Sequence, residues 1–122
     1  MPRIIVPMCA DIIHEGHIKI IKRTKEISKY ASVGLHTDDF IEKYKGAKPI
    51  MTFEERLATL KGITDGLIWC LDSWVIPETF DYVLHGSDWR PPYTLTATQG
   101  YIEVPCFKGI TSSIIKERIK NA

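Results

Sequence analysis

The sequence predicts a single domain, residues 1–122, with a three-layer α/β fold around a central, mostly parallel, five-stranded sheet. Three observations lead to this prediction. Short apolar runs closed by turn residues recur along the chain, helical patterns alternate with them, and 122 residues suffice for one hydrophobic core but not for two. Alternating strands and helices imply parallel strands joined by right-handed crossovers.

The first predicted strand is the apolar run RIIV, residues 3–6, which we expect to end at Pro7. An amphipathic helix follows it. Its apolar side chains recur at helical spacing, while most of the lysines and arginines of this segment lie outside that face. The residues of the apolar face are Ile20, Ile21, Thr24 and Ile27.

The second predicted strand is YASVGLHT, residues 30–37. Residues 38–51 contain Asp, Lys, Gly and Pro without clean periodicity, and we interpret them as a long loop. Thr52 followed by Glu55 is a capping box, which predicts a helix that ends at Gly62.

Three further strands are predicted at residues 66–71, 81–86 and 101–105, followed by an amphipathic helix at residues 112–121. Only residues 72–80 separate the third strand from the fourth, which is too short for a crossover helix of ordinary length. Either a single turn replaces that helix or this part of the sheet is built differently, and the sequence leaves both open.

Composition and charge limit the partners of the protein. Sixteen Lys and Arg balance fifteen Asp and Glu to a net charge of +1, which argues against a nucleic-acid partner. The three cysteines, Cys9, Cys70 and Cys106, contain no C-x-x-C pair, which argues against a disulfide framework and fits a reducing compartment. Since we find neither a signal sequence nor an apolar run of about 18 residues, we expect a cytoplasmic protein with no membrane partner.

The segment HEGH, residues 14–17, places two histidines at the predicted junction of a strand and a helix. Side chains at positions i and i+3 of a helix start point to the same side, beside backbone N–H groups without intrahelical partners. Ring N–H donors, free amides and the helix dipole together suit an anion such as a phosphate chain. Gly16 is expected to make room for that ligand. The alternatives are a zinc-binding pair and two incidental surface histidines.

Ligands of parallel α/β sheets bind outside the carboxyl ends of the strands, where the strand order reverses. Four segments should therefore converge at one edge of the sheet. They are the loop after the first strand, the loop 38–51, HGSDW at 85–89 and KGITSS at 108–113.

The pattern Asp11-(x)2-His14-x-Gly16-His17 resembles the signature of nucleotidyltransferases of the cytidylyltransferase type. Later stretches agree with that family in order and content, and the resemblance covers nearly the whole chain and implies a Rossmann-like fold. By length, the glycerol-3-phosphate cytidylyltransferases are the most similar small members, and several stretches are equally similar to the cytidylyltransferases of phosphonate pathways. The matching stretches are GLHTDDFIEKYKG (34–46), FEERLATLKGITD (53–65), DYVLHGSDW (81–89) and KGITSSII (108–115).

The resemblance implies transfer of CMP from CTP to a small polyol phosphate or phosphonate, with release of pyrophosphate and formation of a CDP-linked or CMP-phosphonate product. Mg²⁺ is expected to bind mainly through the nucleotide phosphates, without protein ligands of its own. A homodimer is expected as well, with Trp69 or Trp74 as exposed apolar contacts.

The family's functional residues carry over to matching positions. His14 and His17 would contact the phosphates, and Lys45, with Lys43 or Lys48 as a substitute, would neutralise charge between the two substrates. For Arg56, an ordinary surface ion pair is the alternative to a phosphate contact. The residues implied for nucleotide binding are Met8, Cys9, Ala10, His14, His17, Gly86, Asp88, Trp89, Gly109, Ile110, Thr111 and Ser112. Those implied for acceptor binding are Asp11, Asp38, Lys43 and Arg56.

The chain departs from the family at two loops. Met8 and Cys9 stand where a glycine and a small hydroxyl residue are usual, and a thiol is the weaker donor. Residues 106–109 lack the arginine of the glycerol-3-phosphate enzymes, and a lysine does not replace its bidentate grip, which favours the phosphonate-type relatives. Two other hypotheses therefore remain open: an adenylyltransferase that uses ATP, and a nucleotide-binding relative with little catalytic activity.

Overall fold

Five parallel strands form the centre of the fold. The computed structural model describes residues 2–87 and 90–105. The strands lie in one sheet in the order β3-β2-β1-β4-β5, and every neighbouring pair is parallel. The predicted α/β class is therefore confirmed, whereas the helix predicted at residues 112–121 lies outside the described residues. In chain order the elements are β1 (Ile4–Met8), α1 (Glu15–Ile27), β2 (Ala31–His36), α2 (Asp38–Lys45), α3 (Phe53–Lys61), β3 (Ile68–Leu71), β4 (Tyr82–Gly86) and β5 (Gly100–Val104).

The side chains of β1 alternate between the two faces of the sheet, as a strand requires. Ile4 and Val6 enter a core cluster that also contains Ile21 of α1 and Leu60 of α3, so these two helices cover the same face. As predicted, α1 directs its apolar side chains to this core. None of the described helices is long and apolar enough to cross a membrane.

The opposite face of the sheet is covered without a helix between β3 and β4. Residues 72–81 run as turns with one isolated parallel bridge, Val75↔Thr94. Ile76 and Phe80 from this segment, together with Tyr93, form the second core cluster. The sequence left two possibilities open for this segment. The structure shows the second of them: this part of the fold is built differently from a regular βαβ unit.

The first strand continues through Pro7, so the prediction that it ends there is wrong. Its pairing with β2 includes Pro7↔Gly34 and Met8↔Leu35. A proline lacks only its own N–H and is tolerated in a strand where that donor is not needed.

The segment predicted as a long loop contains α2 (Asp38–Lys45), and that prediction is wrong. The helix is two turns long, so few positions are available to reveal a 3.6-residue period. It begins at Thr37, whose side chain accepts a hydrogen bond from Phe40 N, and ends at Gly46, which is left-handed at φ 81°. The predicted capping box of α3, Thr52 with Glu55, is confirmed.

The two tryptophans predicted as exposed contacts are half-buried. The ring of Trp69 lies 5.1 Å from that of Phe80, and the ring of Trp74 lies 4.8 Å from that of Phe40. Their apolar surface thus belongs to the second core cluster and its rim, and this part of the prediction is wrong. The homodimer itself stays a prediction.

Candidate phosphate-binding site

The site lies where the order of the strands reverses, between β1 and β4. These two strands pair only at Ile4↔Tyr82 and Ile5↔Val83. Beyond that point β1 continues alongside β2 and β4 continues alongside β5. The carboxyl ends of β1 and β4 therefore diverge, and they flank the crevice in which ligands of parallel sheets bind. Met8 and Gly86, both predicted to bind nucleotide, are the last residues of these two strands.

His14 and His17 cap the start of α1 reciprocally. His14 is the N-cap residue, and its Nδ1 accepts a hydrogen bond of 3.0 Å from Gly16 N. The Nδ1 of His17 accepts a hydrogen bond of 3.2 Å from His14 N. This is the geometry of a capping box, with imidazoles in place of the usual hydroxyl and carboxylate. The sequence prediction that both side chains gather at the helix start is confirmed.

The capping bonds fix the tautomer of both rings. A backbone N–H can donate only to a ring nitrogen that carries no proton, so in each neutral imidazole the proton lies on Nε2. The ring centroids of His14 and His17 are 4.2 Å apart at an interplanar angle of 52°. The site therefore presents two Nε2–H donors side by side at the positive end of a 13-residue helix, an arrangement that suits phosphate oxygens.

Both histidines are neutral at pH 7 in the absence of ligand. Burial and, to a smaller extent, the neighbouring His14 lower the pKa of His17 to about 4. Burial also lowers the pKa of His14, against the opposing influence of the Glu15 carboxylate. The pair thus offers oriented hydrogen-bond donors, and the helix terminus adds partial positive charge.

The absence of a Cβ at Gly16 makes room for the ring of His14. A Cβ built at Gly16 would lie 2.8 Å from Cε1 and 3.1 Å from Nδ1 of His14. The sequence-based expectation gave this space to the ligand; the structure assigns it to the capping ring. Glycine at this position is therefore a condition for the histidine cap.

Ala10 lies in the loop between β1 and α1 with a positive φ of 52°. The left-handed region is unusual for a residue with a Cβ and costs free energy that the surrounding structure must supply. The side chain of Ala10 is buried, so packing holds the loop in this conformation. Strain of this kind is typical of loops that present backbone amides to a ligand.

Arg56 is fully buried and joins the loops around the site. Its guanidinium donates to the carbonyl oxygens of Cys9 and His36, both at 2.7 Å. It also donates to the carbonyl of Met51 and, at 2.6 Å, to the carboxylate of Asp38. The carboxyl ends of β1 and β2 and the start of α2 are thus tied to one side chain, and a surface ion pair is excluded for Arg56.

Asp11 and Asp38 extend the same buried network. The two carboxylate oxygens of Asp11, which is 4% exposed, accept hydrogen bonds from the amides of Ile50 and Met51. Asp38 also accepts a hydrogen bond from the amide of Phe53 at the start of α3. Asp11, Asp38 and Arg56, which the resemblance implies for acceptor binding, thus lie together, and these contacts hold the segment after α2 against the loop between β1 and α1.

The lysines predicted to serve the reaction lie on or just after α2. Lys45, in the last turn of the helix, is exposed, with its ammonium 6.0 Å from the centroid of the Tyr44 ring. Lys48 lies 4.0 Å from the carboxylate of Glu42. Lys43 lines an open cleft of about 610 Å³, here called the α2 cleft. Its other lining residues are Thr37, Asp39, Phe40, Glu42 and Asp72.

Three residues that the sequence analysis did not select join Cys9 in a hydrogen-bonded group, the Tyr44 cluster. It consists of Cys9, His36, Tyr44 and Tyr93. The Tyr44 hydroxyl lies 2.8 Å from Cys9 Sγ and 2.7 Å from His36 Nδ1, and His36 Nε2 lies 2.5 Å from the Tyr93 hydroxyl. Tyr44 follows Phe40 by four residues, which is a helical spacing, but a two-turn helix made this signal weak.

The zinc alternative finds no support in the described part of the chain. Residues 2–87 and 90–105 contain no group of three or more His, Cys, Asp or Glu side chains that could hold a metal ion. Six of the residues predicted to bind nucleotide lie outside the described residues: Asp88, Trp89, Gly109, Ile110, Thr111 and Ser112. The departure from the family at residues 106–108 lies outside them as well.

The fold and the site define an α/β domain with paired histidines at the topological switch point. The family model for cytidylyltransferase-like proteins matches residues 5–118, so the chain belongs to the cytidylyltransferase-like family. The class of nucleotidyltransferase enzymes predicted from the motifs is thereby confirmed.

Known proteins with similar sequences include two cytidylyltransferases. The chain is 30% identical over 129 residues to a glycerol-3-phosphate cytidylyltransferase of Bacillus subtilis (strain 168), with 98% of each chain covered. It is 27% identical over 131 residues to the bifunctional protein HldE of Haemophilus influenzae (strain PittGG), of which it spans 26%. It is also 32% identical over 87 residues to an ethanolamine-phosphate cytidylyltransferase of Mus musculus, of which it spans 21%.

A solved structure supports the fold. The lipopolysaccharide core biosynthesis protein of Thermoplasma volcanium GSS1 superposes with a TM-score of 0.68, covering 88% of this chain and 99% of that one. At 18% sequence identity, this similarity concerns the fold alone. It confirms the predicted Rossmann-like architecture.

Proposed function

We propose that the protein transfers CMP from CTP to a small polyol phosphate or phosphonate and releases pyrophosphate. The observation that carries the proposal is the reciprocal cap of His14 and His17, which directs two Nε2–H donors to the start of α1. Family membership supports the nucleotide chemistry, and the glycerol-3-phosphate cytidylyltransferase covered over 98% of its length supports a small phosphorylated acceptor.

The chemistry explains why these residue types suffice. The attacking oxygen of a phosphate or phosphonate is already ionised, so no general base is needed. The difficulty is to bring two anions together and to stabilise the charge that spreads over the α-phosphate during in-line displacement. Positioning and preorganised donors therefore carry most of the catalysis.

In this mechanism the histidine pair and Lys45 share the catalytic work. His14 and His17 donate to the triphosphate and stabilise the developing charge, because their donors are oriented before the substrate binds. Lys45, with Lys43 or Lys48 as a substitute, neutralises charge between the two substrates. Thr111 and Ser112 are proposed to present hydroxyls and amides to the terminal phosphates.

The acceptor is proposed to enter beside α2. Lys43 lines the α2 cleft with three carboxylates, so the cleft offers an ammonium for the acceptor phosphate and oxygens for hydroxyl or amino groups on the rest of the molecule. Arg56, Asp11 and Asp38 hold the walls of this region through the buried network. A direct phosphate contact by Arg56 would require its guanidinium to leave those partners.

Mg²⁺ is proposed to arrive with the nucleotide. Asp11, in the loop between β1 and α1, accepts two backbone hydrogen bonds, which leaves its carboxylate poorly placed as a dedicated metal ligand. A Mg²⁺ ion held by the nucleotide phosphates would supply further charge neutralisation, as is usual for such cations.

Pyrophosphate release with CTP or ATP and a panel of acceptors tests the proposal. The panel contains glycerol 3-phosphate, ethanolamine phosphate, and hydroxyalkyl and aminoalkyl phosphonates. We expect turnover with CTP and at least one acceptor, and tight CTP binding by calorimetry. Turnover with ATP alone would show an adenylyltransferase, and CTP binding without turnover across the panel would favour a relative with little catalytic activity.

A further inference from the structure

The Tyr44 cluster connects the loop between β1 and α1 to α2, the helix that carries Lys43 and Lys45. Cys9 directly follows β1, in the loop that leads to the histidine pair, and Tyr44 precedes Lys45 in the last turn of α2. Their side chains meet at 2.8 Å although 35 residues separate them in sequence. This contact brings the two predicted halves of the catalytic machinery into one hydrogen-bonded unit.

The protons of the cluster permit a continuous chain of hydrogen bonds. Burial raises the pKa of both Tyr44 and Tyr93, so each phenol keeps its proton. Burial also lowers the pKa of His36 to about 4, so its ring is neutral and carries one proton. If Tyr93 donates to His36 Nε2, then His36 Nδ1–H donates to the oxygen of Tyr44. The Tyr44 hydroxyl then donates to Cys9 Sγ, which leaves the thiol proton available to a ligand.

We propose that Tyr44 is a positioning residue for the transfer reaction: its hydroxyl holds the Cys9 thiol and the last turn of α2 in the geometry that the nucleotide phosphates and Lys45 require. This inference rests on the proposed function. Tyr44 touches no reacting atom; it acts through Cys9, which the family resemblance places beside the phosphates, and through the backbone that carries Lys45.

Removal of the Tyr44 hydroxyl tests this role, with a surface tyrosine as the matched control. Tyr44→Phe deletes the bonds to Cys9 and His36 and keeps the ring that packs on Phe40 and Trp74. We expect kcat to fall by about 10- to 100-fold, as small misplacements of catalytic groups do, while the KM for CTP changes little. Tyr30→Phe, at a tyrosine that is 51% exposed, should leave both constants unchanged.

A second readout does not depend on catalysis. Alkylation of Cys9 by iodoacetamide, followed by mass spectrometry of peptides, should slow by about fivefold or more in Tyr44→Phe, because the lost hydroxyl donates to the sulfur and so stabilises the thiolate, which is the form that reacts. The exposed Cys70 is the internal reference and should react at the same rate in both proteins. If wild-type protein shows no turnover at all, the proposed function fails, and the alkylation rates then decide the positioning role by themselves.

A double-mutant cycle distinguishes positioning from general loss of packing. Cys9→Ala breaks the same contact from the other side, so the pair Tyr44→Phe and Cys9→Ala should be no slower than the slower single variant. Cys9→Ser keeps a group that can accept from Tyr44 and should retain more activity than Cys9→Ala. Additive losses in kcat, an unchanged kcat in Tyr44→Phe, or an unchanged Cys9 alkylation rate would overturn the proposal.

Discussion

At the start of α1, the imidazoles of His14 and His17 accept the backbone hydrogen bonds that a hydroxyl and a carboxylate accept in an ordinary capping box. A serine and a glutamate would satisfy the same backbone amides. They would not offer N–H donors on the far side of the capping atom, as each ring does through Nε2. The choice of histidine therefore combines helix capping with anion recognition in one residue, and the two functions can be separated by substitution.

Substitutions of His17 separate capping from catalysis. His17→Ala removes both the cap and the donor, and we expect turnover to fall by about 100-fold or more because the lost donor acts on developing charge. His17→Gln can still accept from His14 N, so it should regain about 0.5–1 kcal/mol of stability relative to Ala without regaining turnover. Unchanged turnover in the alanine variant would remove the imidazole from the mechanism.

Gly16 is a residue at which a normally favourable substitution should be harmful. In a helix, alanine is usually more stable than glycine by about 1 kcal/mol. Gly16→Ala should nevertheless destabilise the protein and reduce CTP binding, because the new Cβ would meet Cε1 of His14 at 2.8 Å. Gly62→Ala is the control: its Cβ would lie 3.4 Å from the nearest atom, so thermal denaturation should show little loss or a small gain. A Gly16→Ala protein that binds CTP normally would contradict the role assigned to the His14 cap.

At the scale of elements, the site depends on bonds that join segments distant in sequence. β1, β2, α2 and the start of α3 meet at Arg56 and Asp38. The buried guanidinium has few ways to relax when a partner is removed, and an unpaired buried charge is costly. The network therefore sets the position of the loop between β1 and α1 relative to α2.

Arg56→Ala should be among the most destabilising substitutions in the chain. We expect a loss of about 3–5 kcal/mol in the free energy of unfolding, measured by urea denaturation, because four hydrogen bonds disappear and the partner groups are left unpaired. Arg23→Ala removes an exposed pair with Glu26 and should cost less than about 1 kcal/mol. Similar losses in the two variants would contradict the structural role of Arg56.

How much of this arrangement the sequence could predict depends on how local each signal is. His14 with His17 and Thr52 with Glu55 are pairs of residues three apart, so the juxtaposition of the two histidines and the capping box of α3 could both be predicted, whereas the reciprocal capping by the histidines could not. The hydrogen bond from Arg56 to the carbonyl of Cys9 joins residues 47 positions apart in sequence. No pattern in the residues that flank Arg56 predicts that buried partner. The contact of Tyr44 with Cys9 could not be predicted for the same reason, since 35 residues separate the two in sequence. α2 was missed because two turns offer too few positions to display a helical period.

At the scale of the whole molecule, the half-buried His17 and the buried His36 couple stability to pH. His17 and His36 each have a pKa of about 4 in the folded protein, against an ordinary value of 6.5. In the folded protein, burial keeps the ring of His36 neutral by lowering its pKa, and the positive charges of Lys45 and Arg56 contribute to the same lowering. Between these pH values the unfolded chain binds protons that the folded chain does not.

The free energy of unfolding should therefore decrease as the pH falls from about 6.5 towards 4, and the stabilising contribution of both histidines should be fully present above pH 6.5. Urea denaturation at a series of pH values measures this dependence. The His17→Gln variant lacks one of the two groups, so its stability should change less steeply over the same interval. Equal slopes for the two proteins would show that His17 is not held neutral in the folded state.

Nitrogen-15 NMR of the histidine side chains tests the central claim most directly, with His14→Gln and His17→Gln used to assign the resonances. In the free protein at pH 7 we expect both rings to be neutral with the proton on Nε2, since each Nδ1 accepts a backbone hydrogen bond. Titration with CTP should shift the Nε2 resonances of both rings and leave those of the buried His36 nearly unchanged. Protons on Nδ1, or Nε2 resonances of His14 and His17 that do not respond to saturating CTP, would contradict the account.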